Sequence, residues 1–378
     1  MKKHLTIAVL LLVTLSLQAQ QVTFWQKVHN FLNKAGDIDT TRIYYPQAGF
    51  TLGLFATGQK SGLDLDVSFV TDLGEEGMLT GETQYNISES LCKKIGLEVG
   101  YGKVSLGYGI EVGPRSASKK SALAFNILGR MWGAHLNYYK ITNPFNSGVT
   151  IGNEAEGYYV HDEFISSESA VLRSLMVDGY YVFNNKRFAY PAAYKRGFVQ
   201  RHTAGSWMLT ARYNLGDLYT SPEAALDSYN LLDCFSTMQA SVGGGYSVNF
   251  VFWHKDPVDD RDKGLRNLTL NLTAMPVITL FNYLKTTSYE YEEGHYNGNN
   301  KVSKVWCYPM PNFIGSAAAG LTLGRFYFST QFTFNDFYFR RRDALNSGQV
   351  KIPGYVDKLD YQGLFHDWML KGLLVYKF

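Results

Sequence analysis

The feature that most constrains this chain is an alternation of apolar and polar residues in which one side of each run is free of charge. A β-strand sends successive side chains to opposite faces. Val104, Leu106, Tyr108, Ile110 and Val112 therefore share one face, and Ser105, Gly107, Gly109 and Glu111 the other. Phe326, Phe328, Thr330, Phe332 and Phe334 oppose Tyr327, Ser329, Gln331, Thr333 and Asn335 in the same way. Leu268 to Ala274, Trp207 to Tyr213 and Leu63 to Phe69 repeat the split, the last placing Asp64, Asp66 and Ser68 opposite its leucines. A soluble β-sandwich also alternates, but its outward polar faces are commonly rich in Lys and Glu. Here they carry Gly, Ser, Thr and Asn. On a lipid-facing wall a midplane Arg or Lys costs about 2–4 kcal/mol, so the charged faces are expected to look inward.

Beyond the N-terminal leader no stretch of about 18 apolar residues occurs, which excludes a helical membrane span. Hydrocarbon tolerates only helices and closed sheets, so the alternation points to a transmembrane β-barrel. Composition agrees: 27 Tyr, 24 Phe and 36 Gly against 10 Pro in 378 residues. Lys2 and Lys3 precede the apolar run Leu5–Leu17, and Leu17-Gln18-Ala19 offers a small residue for cleavage. Residues 1–19 thus read as a signal peptide. The 36 basic and 33 acidic residues nearly balance, which excludes a nucleic-acid binder.

Gly102-Lys103, Gly129-Arg130 and Gly324-Arg325 read as tight hairpin turns. They place Tyr101 opposite Val104, Leu128 opposite Met131 and Leu323 opposite Phe326. Short turns belong to the periplasmic side, and the long loops 141–173, 215–235, 286–312 and 341–366 to the outside. The expected fold is an all-β, antiparallel up-and-down barrel over residues 47–378, with about 14 strands (range 12–16, the upper figure if the chain breaks at Gly243-Gly244 and Met275-Pro276). The final run, from Trp368 to Phe378, is similar to the C-terminal strand signal of outer-membrane barrels, although Gly372 stands one place off the usual glycine.

Residues 20–46 form a periplasmic helix and linker in this reading, with Trp25, Val28 and Leu32 on one helical face. Residues 184–206 are too long and too basic for a minimal turn. Here YYVFNNKRFAYPAAY (Tyr180 to Tyr194) and QRHTAGS (Gln200 to Ser206) carry a resemblance. They resemble the family catalogued as the domain of unknown function numbered 4421, with Ala189 and Thr203 in place of serines. Asp39-Thr40 and GGGYSVNFVF near Gly243 agree with it. The resemblance implies an outer-membrane barrel and brings no activity or catalytic residues.

The lumen-lining residues expected from strand parity are Asp64, Asp66, Glu98, Glu111, His135 and Arg212. The bare inward positions Gly96, Gly100, Gly107 and Gly109 leave volume. Lys186, Arg187, Lys195, Arg196 and Arg201 are expected to carry residues 184–206 into that volume as a plug, drawn by the carboxylates; a solvated loop is the alternative. No catalytic, metal or cofactor set is assigned. On a single strand His202 and Ser206 stand about 13 Å apart, beyond proton transfer. Asp256, Asp259, Asp260 and Asp262 lack calcium-loop spacing and read as a solvated loop. The tyrosines of the loop at 289–308 read as packing or girdle. Of Cys92, Cys234 and Cys307, the pair expected to bridge is Cys234–Cys307.

The functional expectation is a small-solute channel, open or occluded, or a structural envelope component of the Gram-negative outer membrane. Its partners would be outer-membrane lipid and lipopolysaccharide, the barrel-assembly machinery, and a small solute. An enzyme acting on lipid or lipopolysaccharide, or a subunit of a larger envelope complex, are the competing readings.

Overall fold

The computed structural model describes residues 37–46, 48–72, 78–88, 92–112, 119–142, 145–147, 149–153, 158–162, 171–222, 234–259, 262–292, 295–307, 309–340 and 358–378. The expected leader and the helix expected over 21–34 lie outside them. Twelve strands close into a ring. They are β1 (Phe50–Asp72), β2 (Cys92–Tyr101), β3 (Val104–Glu111), β4 (Lys119–Leu128), β5 (Trp132–Thr142) and β6 (Val171–Val182). Then come β7 (Ala204–Tyr219), β8 (Cys234–Lys255), β9 (Arg266–Glu292), β10 (Met310–Leu323), β11 (Phe326–Arg340) and β12 (Lys358–Lys377). Each pairs antiparallel with the next, and β12 returns to β1 in unbroken register from Lys377 opposite Thr51 to Lys358 opposite Val70.

The expected count of about 14 is corrected to twelve. The strands Met78–Ser88 and His295–Trp306 alternate like the rest but stand outside the ring: the first pairs with the distal half of β1 and, at its end, with the short strand Phe145–Ser147, the second with the distal half of β9. Local alternation reports a strand without reporting whether it joins the circumference. No break occurs at Pro276 either. Pairing passes from Gly243 opposite Val277 to Tyr246 opposite Ala274. A Cβ at Gly243 would lie 2.4 Å from the Pro276 carbonyl oxygen, and one at Gly245 2.0 Å from that of Ala274. Glycine lets the strands close around a proline that donates no hydrogen bond.

The tight turns at Gly102, Gly129 and Gly324 lie at one end of the ring, called here the turn end, where residues 183–203 also connect two strands; the opposite end is called the loop end. Leu54, Leu97, Ile110, Leu209 and Leu280 are each 50–60 % exposed on the outer face. Near the turn end this face carries the ring pairs Phe50–Tyr101, Trp207–Tyr246 and Phe326–Tyr376. Towards the loop end Trp306 packs edge-on against Phe281 and Tyr283. The inside is polar: Asn249, Asn271, Thr269 and Thr279 are fully buried.

Three local expectations are corrected. In the β4–β5 hairpin Leu128 faces Gly133, not Met131. The slip of two residues keeps every side chain on its face, which is why patterning alone does not detect it. Asp64 shares the parity of Leu52 and Leu54 and faces out, beside His366 at 3.4 Å, rather than into the lumen. Since β1 and β12 pair without a bulge, the shift of leucines from even to odd positions marks the strand leaving the apolar belt. Asp66 lies among residues whose side chains are not described. Finally, Cys234 and Cys307 are not bridged to each other. Cys234 pairs with Thr287, while the Cys307 amide donates to the Asn282 carbonyl. That offset along β9 is about 16 Å, well beyond disulfide reach.

Gly245→Val is expected to cost about 1–3 kcal/mol in urea unfolding of the detergent-folded barrel, as overpacking does. Ala56→Val on the outer face is the control and should leave the midpoint unchanged.

Candidate functional site

Residues 183–203 connect β6 to β7 and turn back into the barrel. Phe188, Ala189, Ala193 and Val199 are buried, and Tyr190–Ala193 forms a single 3-10 turn begun by Pro191. Backbone carried into a lumen needs partners for its polar groups, and inward amides of the wall supply them. Asn249 of β8 donates to the Ala189 carbonyl at 2.8 Å, Asn267 of β9 to that of Gln200 at 2.8 Å, and Gln331 of β11 to that of Tyr194 at 2.7 Å. The Tyr194 hydroxyl lies 2.8 Å from Asn271 Oδ1 and 2.7 Å from Ser316 Oγ. Gln200, itself fully buried, accepts from the Ala189 N–H and donates to the Arg187 carbonyl. Small residues make the room: a Cβ at Gly320 of β10 would stand 3.0 Å from the Ala193 Cα. Tyr180 packs edge-on against Tyr190 and donates to the Gly129 carbonyl.

The basic residues of the segment mostly do not meet lumen carboxylates, contrary to the expected attraction. Lys186 pairs with Asp37 and Arg187 with Asp39, both on the strip 37–46 that crosses the turn end. Arg201 pairs with Asp256 at 2.6 Å, and Arg196 with Asp262 at 2.7 Å. These carboxylates sit on chain flanking the opening rather than on the wall. Ile43 and Tyr44 add a two-residue antiparallel pairing with Val199 and Gln200.

Asp262 is the hub of this end. Its carboxylate, fully buried, receives Arg196, Lys377 of β12 at 2.8 Å and the Tyr44 hydroxyl at 2.9 Å. Burial pushes its pKa up, but Lys377 and Arg196 outweigh burial and hold it below the ordinary 3.8. Sequence alone places Asp262 in a solvated loop, since nothing local shows three donors arriving from distant parts of the chain.

Above the plug lies a chamber of about 260 Å³. Lys195 rises from its floor, near Glu98 of β2, which accepts from Lys371 of β12 at 2.8 Å. Towards the loop end Arg212 of β7 donates to Asp178 of β6 at 2.9 Å and, across the lumen, to Asn335 of β11 at 2.9 Å. Its guanidinium also lies 5.1 Å from the centre of the Phe337 ring. His135 lines the same space, its Nδ1 2.8 Å from Asn126 Oδ1. Glu111 stands opposite the chamber-lining Lys94 at the far end of β3 but does not itself line the chamber. The glycine wall is filled by Phe55, whose ring tip would touch a Cβ at Gly96 or Gly109. Ser206 accepts from the Asn184 N–H and donates to the Trp207 carbonyl, while His202 is exposed. The chamber thus draws together Glu98, His135, Lys195 and Arg212 from the expected set, leaving Asp64 and Glu111 apart. Lys371, Gln331 and Asn271 are not among the expected lumen residues, although Gln331 and Asn271 stand on polar strand faces in the sequence.

A family model described as Domain of unknown function (DUF4421) matches residues 37–352. The chain belongs to this family. The family span includes the plug and its amide clamps. No curated protein matches the sequence. Among solved structures, the outer membrane protease OmpT of Escherichia coli is similar at 10% identity and a TM-score of 0.35, over 87% of this chain and 97% of that one. The trimeric outer membrane protein OmpT of Vibrio cholerae is similar at 9% identity and 0.25, over 85% and 99%. A FadL homologue of Pseudomonas aeruginosa gives 9% identity and 0.19, over 87% and 90%.

Asp262→Ala should destabilise the barrel by about 3–5 kcal/mol, because it leaves the buried Arg196 without its counter-charge. Since the folded pKa is lowered, the stabilisation is fully present above the ordinary carboxylate value and is lost as pH falls through the folded one. The urea-unfolding difference between wild type and Asp262→Asn should therefore hold from about pH 7 to about pH 5 and shrink near pH 3.

Proposed function

We propose that this chain is an outer-membrane β-barrel enclosing a small-solute chamber that residues 183–203 keep shut at the periplasmic end. The plug itself is the observation that carries the reading. Its backbone is clamped by amides from three wall strands, and a cavity lined by both charged and apolar side chains remains beyond it. A solvated loop would not recruit buried wall amides. The apolar outer face and its aromatic rims suit a bilayer, in which a closed sheet leaves no backbone group unpaired. Tight turns then face the periplasm and the long loops the exterior, as barrels of this kind are built. The strip 37–46 lies across the periplasmic mouth as a cover. The Arg212 bridge to Asn335 bars the lumen a second time, so passage needs both the plug and the bridge to yield. Ser206, the serine weighed as a nucleophile, has its hydroxyl committed to the Asn184 N–H and the Trp207 carbonyl.

Planar-bilayer recording tests the reading. Intact protein should be closed for most of the record, and deletion of Lys186–Arg196 should give resolved single-channel steps. Gln331→Ala with Tyr194→Phe, which weakens the clamp without shortening the chain, should give brief openings. Unchanged conductance in both variants, correctly folded, would refute the plug. Orientation is tested separately by Ser147→Cys and Asn297→Cys in a background lacking native cysteine. Both should react with an impermeant maleimide on intact cells, and reaction only after lysis would reverse the assignment.

A further inference from the structure

Most charged groups lining the chamber have hydrogen-bond partners, Lys94 standing opposite Glu111 on the next strand, and the one buried ammonium without a hydrogen bond among the described residues is informative. Glu98 is taken by Lys371, and Asp178 by Arg212. Asp367 is occupied by neutral donors, Gln59 Nε2 at 2.7 Å and Ser61 Oγ at 2.6 Å. Lys195 remains. It is 6 % exposed, lines the cavity, and its Nζ has no hydrogen-bond partner among the described residues. The side chain cannot easily withdraw, because Tyr194 before it and Arg196 after it are both anchored. Arg212, which lines the same space, also has an Nε without a hydrogen-bond partner among the described residues, its terminal nitrogens being committed to Asp178 and Asn335. Glu98, the carboxylate that acts on Lys195, is already held by Lys371, and a buried ammonium with no hydrogen bond is costly; a ligand that brings a further negative charge satisfies it.

We propose that the chamber is a binding site for a small organic anion, a carboxylate or a phosphate, held at its floor by Lys195 and reached from the other end by Arg212. This deepens the channel reading and depends on it for the route by which the anion arrives. A cavity of about 260 Å³ has the volume of roughly eight to nine waters, which suits a compact anion such as a four-carbon dicarboxylate. Asp367 repels negative charge at the β12 wall, so the anionic group belongs at the floor. Tyr190 beside Lys195 offers an apolar face to the carbon skeleton.

Equilibrium dialysis of the detergent-folded, full-length protein against radiolabelled succinate, and separately against radiolabelled inorganic phosphate, tests the site and tolerates slow entry. Succinamide added in excess is the uncharged competitor. Wild type should bind at least one anion, succinamide should not displace it, and the arm that binds tells carboxylate from phosphate. Lys195→Met should weaken binding at least tenfold, and Lys195→Arg should retain it. Lys186→Met, whose charge pairs outside with Asp37, should bind like wild type. Lys195→Gln replaces the methionine variant if that one does not fold. Failure of wild type to bind either anion, or equal binding by Lys195→Met, overturns the site. The two readings fail separately. Conduction by the plug deletion together with no anion binding by wild type refutes the site alone. Lys195-dependent binding in a barrel that never conducts, with or without the plug, supports the site and refutes the channel.

Discussion

Closure of β12 onto β1 is the constraint from which the remaining structure follows. The two strands stay in register over twenty pairs, from Thr51 opposite Lys377 to Val70 opposite Lys358. An open edge in hydrocarbon would leave a row of unpaired N–H and C=O groups, each costing several kcal/mol, so the ring must be complete before it can be lipid-facing. Closure also inverts the usual distribution of residues. Leucines and aromatics go outward, and Asn, Gln, Ser and Thr line a polar interior that water or protein must fill.

Here protein fills the turn end. The amides that would otherwise hydrate the lumen hold the carbonyls of Ala189, Tyr194 and Gln200. Polar wall and irregular plug are thus each the hydrogen-bonding partner of the other. Charge has a different role: the ion pairs of Lys186, Arg187, Arg196 and Arg201 lie around the mouth and fix where the segment enters. Asp262 joins the plug, the strip 37–46 and the end of β12 at a single carboxylate. Beyond the plug the lumen narrows to a chamber whose own ion pairs, Glu98–Lys371 and Asp178–Arg212, leave Lys195 over.

The outward faces were legible in sequence because lipid imposes a strict rule on them; Leu97, Leu106, Leu209 and Phe328 show it. Ring size was not, since Met78–Ser88 and His295–Trp306 obey the same alternation while adding nothing to the circumference. Asp64 misled for a related reason. Parity was read as if β1 stayed in the belt, whereas its distal half stands above it. The length and basic character of residues 184–206 marked them as unusual, but their partners come from residues 37–39 and 256–262 and from β8, β9 and β11. Such contacts between distant parts of the chain leave no local pattern. The glycines at 96 and 109 looked like empty volume, and Phe55 occupies it.

The central claim is that the β6–β7 segment sits inside the barrel, against β10. Ala193→Cys with Gly320→Cys, in a background lacking native cysteine, tests this most directly, because a Cβ at position 320 lies 3.0 Å from the Ala193 Cα. Oxidation of the folded protein should link the pair near completion and shift its mobility on a non-reducing gel. Absence of the link, with Ala193→Cys reacting freely with an impermeant maleimide in the folded barrel, would contradict the account.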